Sequence, residues 1–105
     1  MPTYEMTQRF KNDLRDLTST QKALVRKARR EFVQCLKTWE DDGCVGVPRF
    51  PKSLGVKPVH GVSGIMEFAW DDDGRATWEI GVQQRPRKMH VIWRRIGTHA
   101  IYKQP

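Results

Sequence analysis

Cutting a phosphodiester takes side chains that hold its charge and side chains that move its protons. The second half of this 105-residue chain carries both kinds. Glu67 and Arg75 flank the acidic turn Asp71-Asp72-Asp73-Gly74, on the strand face opposite Met66, Phe68 and Trp70. Arg94 and Arg95 follow on a later apolar run, and strict alternation sends one of them to that same face. His99 and Tyr102 come next, after Gly97, while Lys52, Lys57 and His60 lie upstream. Arginine and lysine stabilise the charge of a phosphorane-like transition state, and histidine, tyrosine or glutamate transfers protons. In RNA the 2′-hydroxyl is itself a nucleophile, so this set suits RNA cleavage without a metal or a protein nucleophile.

Each of these residues also has a plain structural role. Glu67 and Arg75 can form a cross-strand pair worth roughly 0.2–1 kcal/mol. The four tryptophans, Trp39, Trp70, Trp78 and Trp93, sit at periodic positions that favour core packing over base stacking. The run Asp71–Asp73 lacks the later Glu of a calcium loop and is read as a turn. His60, His90 and His99 are far apart, and Cys35 and Cys44 match no zinc spacing, so no metal and no cofactor is expected.

The whole chain bears on what it binds. Lys and Arg outnumber Asp and Glu by 19 to 12, a formal net charge of +7. Such a surface attracts polyanions by counterion release, or an acidic partner protein. No apolar run approaches the roughly 20 residues that span a bilayer. The opening MPTYEMTQRF carries no apolar signal region, so the cytoplasm is the expected location and no membrane partner is expected.

Two helices and a set of strands must position these residues. Phe10, Leu14 and Leu17 recur at helical spacing over residues 7–17, and Thr18 or Ser19 offers an oxygen to cap a second helix. Leu24, Val25, Ala28, Phe32, Cys35, Leu36 and Trp39 continue an apolar stripe, and Gly43 ends the helix. Residues 44–53 read as a basic loop. A short edge strand is expected over 56–60, where Pro58 forbids a central place. Residues 65–70 and 75–80 form a hairpin, with Ala76, Trp78 and Ile80 on its apolar face. Residues 90–97 add a third strand after the basic connection that contains Arg87 and Lys88. Helices first and strands afterwards predict a single α+β domain over residues 1–105, an N-terminal helical hairpin packed on a small antiparallel sheet.

This order resembles the RelE/ParE toxin superfamily. The segment Lys57–Ile80, KPVHGVSGIMEFAWDDDGRATWEI, is similar to the central section of that family: a Gly-containing turn, a strand, an acidic turn and a strand opening with Arg. The segment His90–Tyr102, HVIWRRIGTHAIY, resembles its last strand and tail. The resemblance implies a toxin of a type II toxin–antitoxin system, a metal-independent mRNA endoribonuclease acting in the ribosome and restrained by a cognate antitoxin on the basic surface. It implies that Arg75 stabilises the phosphate, that His99 transfers a proton, and that Tyr102 is the terminal tyrosine. No residue matches an upstream general-base carboxylate clearly, and Glu67 is nominated for that role. Lys52, Lys57, His60, Arg87, Lys88, Arg94 and Arg95 are expected to contact mRNA or ribosomal RNA. The chain departs from many relatives in beginning with a helix rather than a short strand. Two alternatives stay open at this point: a ParE-like gyrase inhibitor of the same fold, and a non-catalytic basic nucleic-acid-binding module.

Overall fold

The computed structural model describes residues 2–105. In chain order it has β1 (Thr3–Met6), α1 (Gln8–Asp16), α2 (Ser19–Asp41), β2 (Lys57–Pro58), β3 (Met66–Ala69), β4 (Gly74–Ile80) and β5 (His90–Thr98), with 3-10 turns at Lys52–Leu54 and His99–Lys103. One five-stranded sheet runs β1-β5-β4-β3-β2.

The expected α+β class is found, but the sheet is mixed rather than wholly antiparallel. β1 pairs parallel to β5, from Thr3 opposite His90 to Met6 opposite Trp93. The chain therefore begins with a strand, contrary to the sequence reading. Residues 3–6 gave little signal because Tyr4 and Glu5 are exposed and the strand is held by its pairing with the distant β5, including the contacts of Thr3 and Glu5 with His90. β2 is the short edge strand that Pro58 dictates.

Local chemistry sets the helix starts. The Thr7 side chain accepts from the Phe10 N–H, and Thr18 with Gln21 forms a reciprocal capping box. A cap of this kind is worth about 1 kcal/mol. α2 lays Val25, Ala28, Phe32 and Leu36 on the sheet. Phe32, wholly buried, meets the rings of Trp78, Phe68 and Trp93 at 5.0, 5.1 and 5.3 Å. Ile80 shares the face of Ala76 and Trp78 by alternation yet is 60% exposed, contrary to its expected core position. It is the last residue of β4, at the margin of the packed face.

A bulge in β5 corrects a further expectation. Thr77 pairs with Arg95 and Trp78 with Trp93, so Arg94 is an extra residue. Trp93 and Ile96, three apart, both enter the core. Alternation therefore fails at Arg94 and Arg95, and both side chains reach the C-terminal residues. Beyond Trp93 β1 ends and α1 runs alongside β5, where Asp13 accepts from the Ile96 N–H at 3.1 Å.

Candidate active site

The hairpin β3–β4 carries the first part of the site. Trp70 and Gly74 close its turn through a backbone bond of 3.1 Å. Position 74 must be glycine: an added Cβ would lie 2.5 Å from the Trp70 ring. Arg75 follows, and its Nη1 donates to the carbonyls of Asp71, Asp72 and Gly74 at 3.0, 3.1 and 2.8 Å. The turn thus fixes one end of the guanidinium and leaves other N–H groups of its fork for a ligand.

The second part follows β5. Gly74 pairs with Thr98, which brings residue 99 beside the acidic turn. The Thr98 hydroxyl caps the 3-10 turn by accepting from the Ala100 N–H. Ile101 is buried against Gly97, where a Cβ would lie 3.1 Å from its Cγ2. These contacts fix His99 and Tyr102. His99 Nδ1 is hydrogen-bonded to Asp73 Oδ1, and both side chains are solvent-accessible. With Nδ1 toward a carboxylate, the other ring nitrogen is the one turned to a substrate. The His99 hydrogen bond holds the Asp73 carboxyl below the usual carboxylate range, against a smaller opposing effect of burial.

Tyr102 joins the two parts. Its ring lies 5.4 Å from that of His99. Its hydroxyl lies near enough to Glu67 and Arg75 for both to act on it. Burial, then the Glu67 carboxylate, push the phenol up to about 12, with Arg75 opposing. The phenol therefore stays protonated at neutral pH. Glu67 is only 4% exposed and has Lys57 Nζ 3.8 Å from its Oε1. Glu67 and Arg75 are not direct cross-strand partners: Glu67 pairs with Thr77, and Arg75 with Ala69.

The structure thus brings together Lys57, Glu67, Arg75, His99 and Tyr102. Beside them a groove of about 420 Å³ runs between α2 and the hairpin turn, with Lys27, Ser53 and Arg75 among its lining. Lys52 opens the 3-10 turn that contains Ser53. The other expected RNA contacts lie elsewhere. His60, on the β2–β3 connection, and Arg87 and Lys88, on the β4–β5 connection, lie at the opposite end of the sheet. That is about 20 Å from Arg75 at the usual rise of a strand. Lys88 Nζ is 3.7 Å from Glu40. Arg95 grips Asp13 at 2.7 and 3.2 Å and donates to the Gln104 carbonyl. Arg94 donates to the Pro105 oxygen at 3.1 Å and pairs with Glu79 at 3.4 Å.

Sequence reasoning missed Asp73 and Lys27. Asp73 was absorbed in the turn, although a carboxylate opening a hairpin whose far strand leads to a histidine was a usable signal. Lys27 carried none, being one cation of many on α2. Among the described residues no three His, Cys, Asp or Glu side chains gather as a metal site requires, and no helix is long and apolar enough to cross a membrane.

The sequence matches no protein-family model and no curated protein. Solved structures do match. A copper-bound mutant toxin from Helicobacter pylori superposes with a TM-score of 0.60 at 13% identity, covering 95% of this chain and 97% of that one. A conserved hypothetical protein from Helicobacter pylori gives 0.57 at 12% identity, covering 95% and 97%. The DinJ–YafQ toxin–antitoxin complex of E. coli gives 0.48 at 15% identity, covering 94% and 93%. At such identities the likeness is one of fold: this chain shares the α+β fold of the Helicobacter pylori toxin.

Proposed function

We propose that this chain is the toxin of a type II toxin–antitoxin pair and cuts mRNA in the ribosome, using the RNA 2′-hydroxyl as nucleophile. The observation that carries the reading is the convergence of Arg75, His99 and Tyr102 on one lip of the sheet, with Glu67 and Lys57 behind them. The bond from the 2′-oxygen to phosphorus forms as the bond from phosphorus to the 5′-oxygen breaks. The products are a 2′,3′-cyclic phosphate and a 5′-hydroxyl.

Each side chain has a role suited to its place. Arg75, braced on the turn carbonyls, stabilises the charge that grows on the phosphoryl oxygens. Glu67 is too deeply buried to meet RNA itself, so Tyr102 relays. The phenol gives its proton to Glu67 as it takes one from the 2′-hydroxyl. His99, in its protonated form and oriented by Asp73, gives a proton to the departing 5′-oxygen. Lys57 Nζ, 3.8 Å from Glu67 Oε1, is the cation beside this acceptor of the phenol proton. Lys27 lines the groove through which the strand runs and Lys52 opens the turn beside it; His60, Arg87 and Lys88 are left for ribosomal RNA, while Arg94 and Arg95 are engaged within the fold. A cognate antitoxin is the protein partner, and the cytoplasm is the place of action.

Induced expression in bacteria tests the reading. Wild type arrests growth and leaves new mRNA 5′ ends inside translated codons, and Arg75→Ala and His99→Ala do neither. Arrest retained by both variants without new ends would transfer the reading to gyrase inhibition. Absence of arrest by wild type would leave a binding module.

A further inference from the structure

We propose that Arg95 is a positioning residue: anchored on Asp13 of α1, it holds the far end of the turn that carries His99 and Tyr102. The turn His99–Lys103 is a 3-10 helix of five residues. Such helices seldom run beyond about three or four residues, because their hydrogen bonds are poorly aligned. This one therefore depends on what holds its ends. The near end is held by the Thr98 cap and by Ile101 in the core. At the far end the Gln104 N–H donates to the Ile101 carbonyl at 3.0 Å. The Gln104 carbonyl accepts from Arg95 Nη1 at 3.1 Å. The same guanidinium donates through Nε and Nη2 to the two oxygens of Asp13, at 2.7 and 3.2 Å. Asp13 is fixed in turn, since its Oδ2 accepts from the Ile96 N–H at 3.1 Å. Both side chains of the pair are only 17% exposed.

One planar fork thus ties together α1, β5 and the turn. Paired charge-assisted bonds to a carboxylate set the plane of a guanidinium, and that plane aims the remaining N–H at Gln104. Because β5 bulges at Arg94, two consecutive arginines serve the same segment, Arg94 Nε donating to the Pro105 oxygen at 3.1 Å. An RNA contact asks for a free cation, whereas Arg95 has Nε, Nη1 and Nη2 all engaged inside the fold. It acts on His99 and Tyr102 through the backbone of the turn. A reacting group displaced by about 1 Å can lose about a hundredfold in rate, so a contact at this remove is enough to matter. That His99 and Tyr102 do chemistry rests on the toxin reading above; that Arg95 sets their place does not.

Two variants test this in the full chain. Arg95→Lys keeps the charge and loses the fork, while Asp13→Asn keeps the shape of the anchor and loses its charge. The ring signals of His99 and Tyr102 in nuclear magnetic resonance spectra report their place directly. Both should shift in Arg95→Lys, and less so in Asp13→Asn, while the ring signals of Phe32 and Trp78 in the core stay as in wild type. Cleavage of mRNA held in ribosomes is then resolved into kcat and KM. In Arg95→Lys kcat should fall about tenfold or more, with KM unchanged. Signals of His99 and Tyr102 that stay in place in both variants would overturn the assignment. So would a raised KM at unchanged kcat, the mark of a direct RNA contact. Shifts that extend equally to Phe32 and Trp78 in both variants would reduce the pair to a general support of the fold and overturn it too. Should wild type cut no RNA, the toxin reading fails, and the ring signals still decide for or against Arg95.

Discussion

Replacing Tyr102 by Phe keeps the ring and removes the hydroxyl that joins the two parts of the site. Two consequences can be worked out. The phenol rises from 10.0 to about 12 in the folded chain, because of burial and the Glu67 carboxylate. A proton held more tightly in the folded state contributes stability that is fully present below pH 10. That stability is lost as pH rises through about 12. Such a rise would amount to about 2.7 kcal/mol for a group withdrawn from water. Tyr102 is only part-buried, and solvent screening reduces this to about 1 kcal/mol. Urea unfolding of wild type and Tyr102→Phe at several pH values measures it. Below pH 10 wild type should be the more stable by about 1 kcal/mol, and the advantage should vanish toward pH 12. The same variant should cut RNA about a hundredfold or more slowly, as loss of proton relay requires. A stability difference that does not change with pH would refute the Glu67–Tyr102 coupling, and full cleavage by the variant would refute the relay.

Other expectations concern neighbouring residues. Asp73→Asn should slow cleavage, because His99 loses the carboxylate that orients it. The wild-type Asp73 carboxyl lies below the usual range. Its contribution to stability is therefore present above the ordinary carboxylate pKa and lost as pH falls through the lowered one, a loss that acid unfolding of the variant should lack. Gly74→Ala sets a Cβ at 2.5 Å from the Trp70 ring and should cost about 1–3 kcal/mol in chemical denaturation. Phe32→Ala empties the centre of the aromatic cluster and should cost about 3–5 kcal/mol, read the same way.

The sequence spoke clearly where one periodicity governed. The stripe from Val25 to Leu36, the capping residue Thr18 and the acidic hairpin turn were legible because each is local. Pro58 also marked its strand as an edge from chemistry alone. What was hidden depends on distant pairing. β1 is a strand only because β5 offers it an edge, and Arg94 becomes an extra residue only through its register against β4. The site was legible in part for the same reason. Arg75 and His99 stand out by type, and their neighbours in the turn and tail are fixed by sequence distance. That Glu67 lies beneath Tyr102, and that Asp73 meets His99, follows from strand register, which residue types do not disclose.

The most direct test is cleavage by the purified chain of an mRNA held in translating ribosomes, with Arg75→Ala and His99→Ala alongside and the new ends analysed chemically. The account predicts cuts by wild type that leave a 2′,3′-cyclic phosphate and a 5′-hydroxyl, and a loss of about a hundredfold or more in each variant. Wild-type cleavage that leaves 5′-phosphate ends, or that survives in both variants, would contradict it.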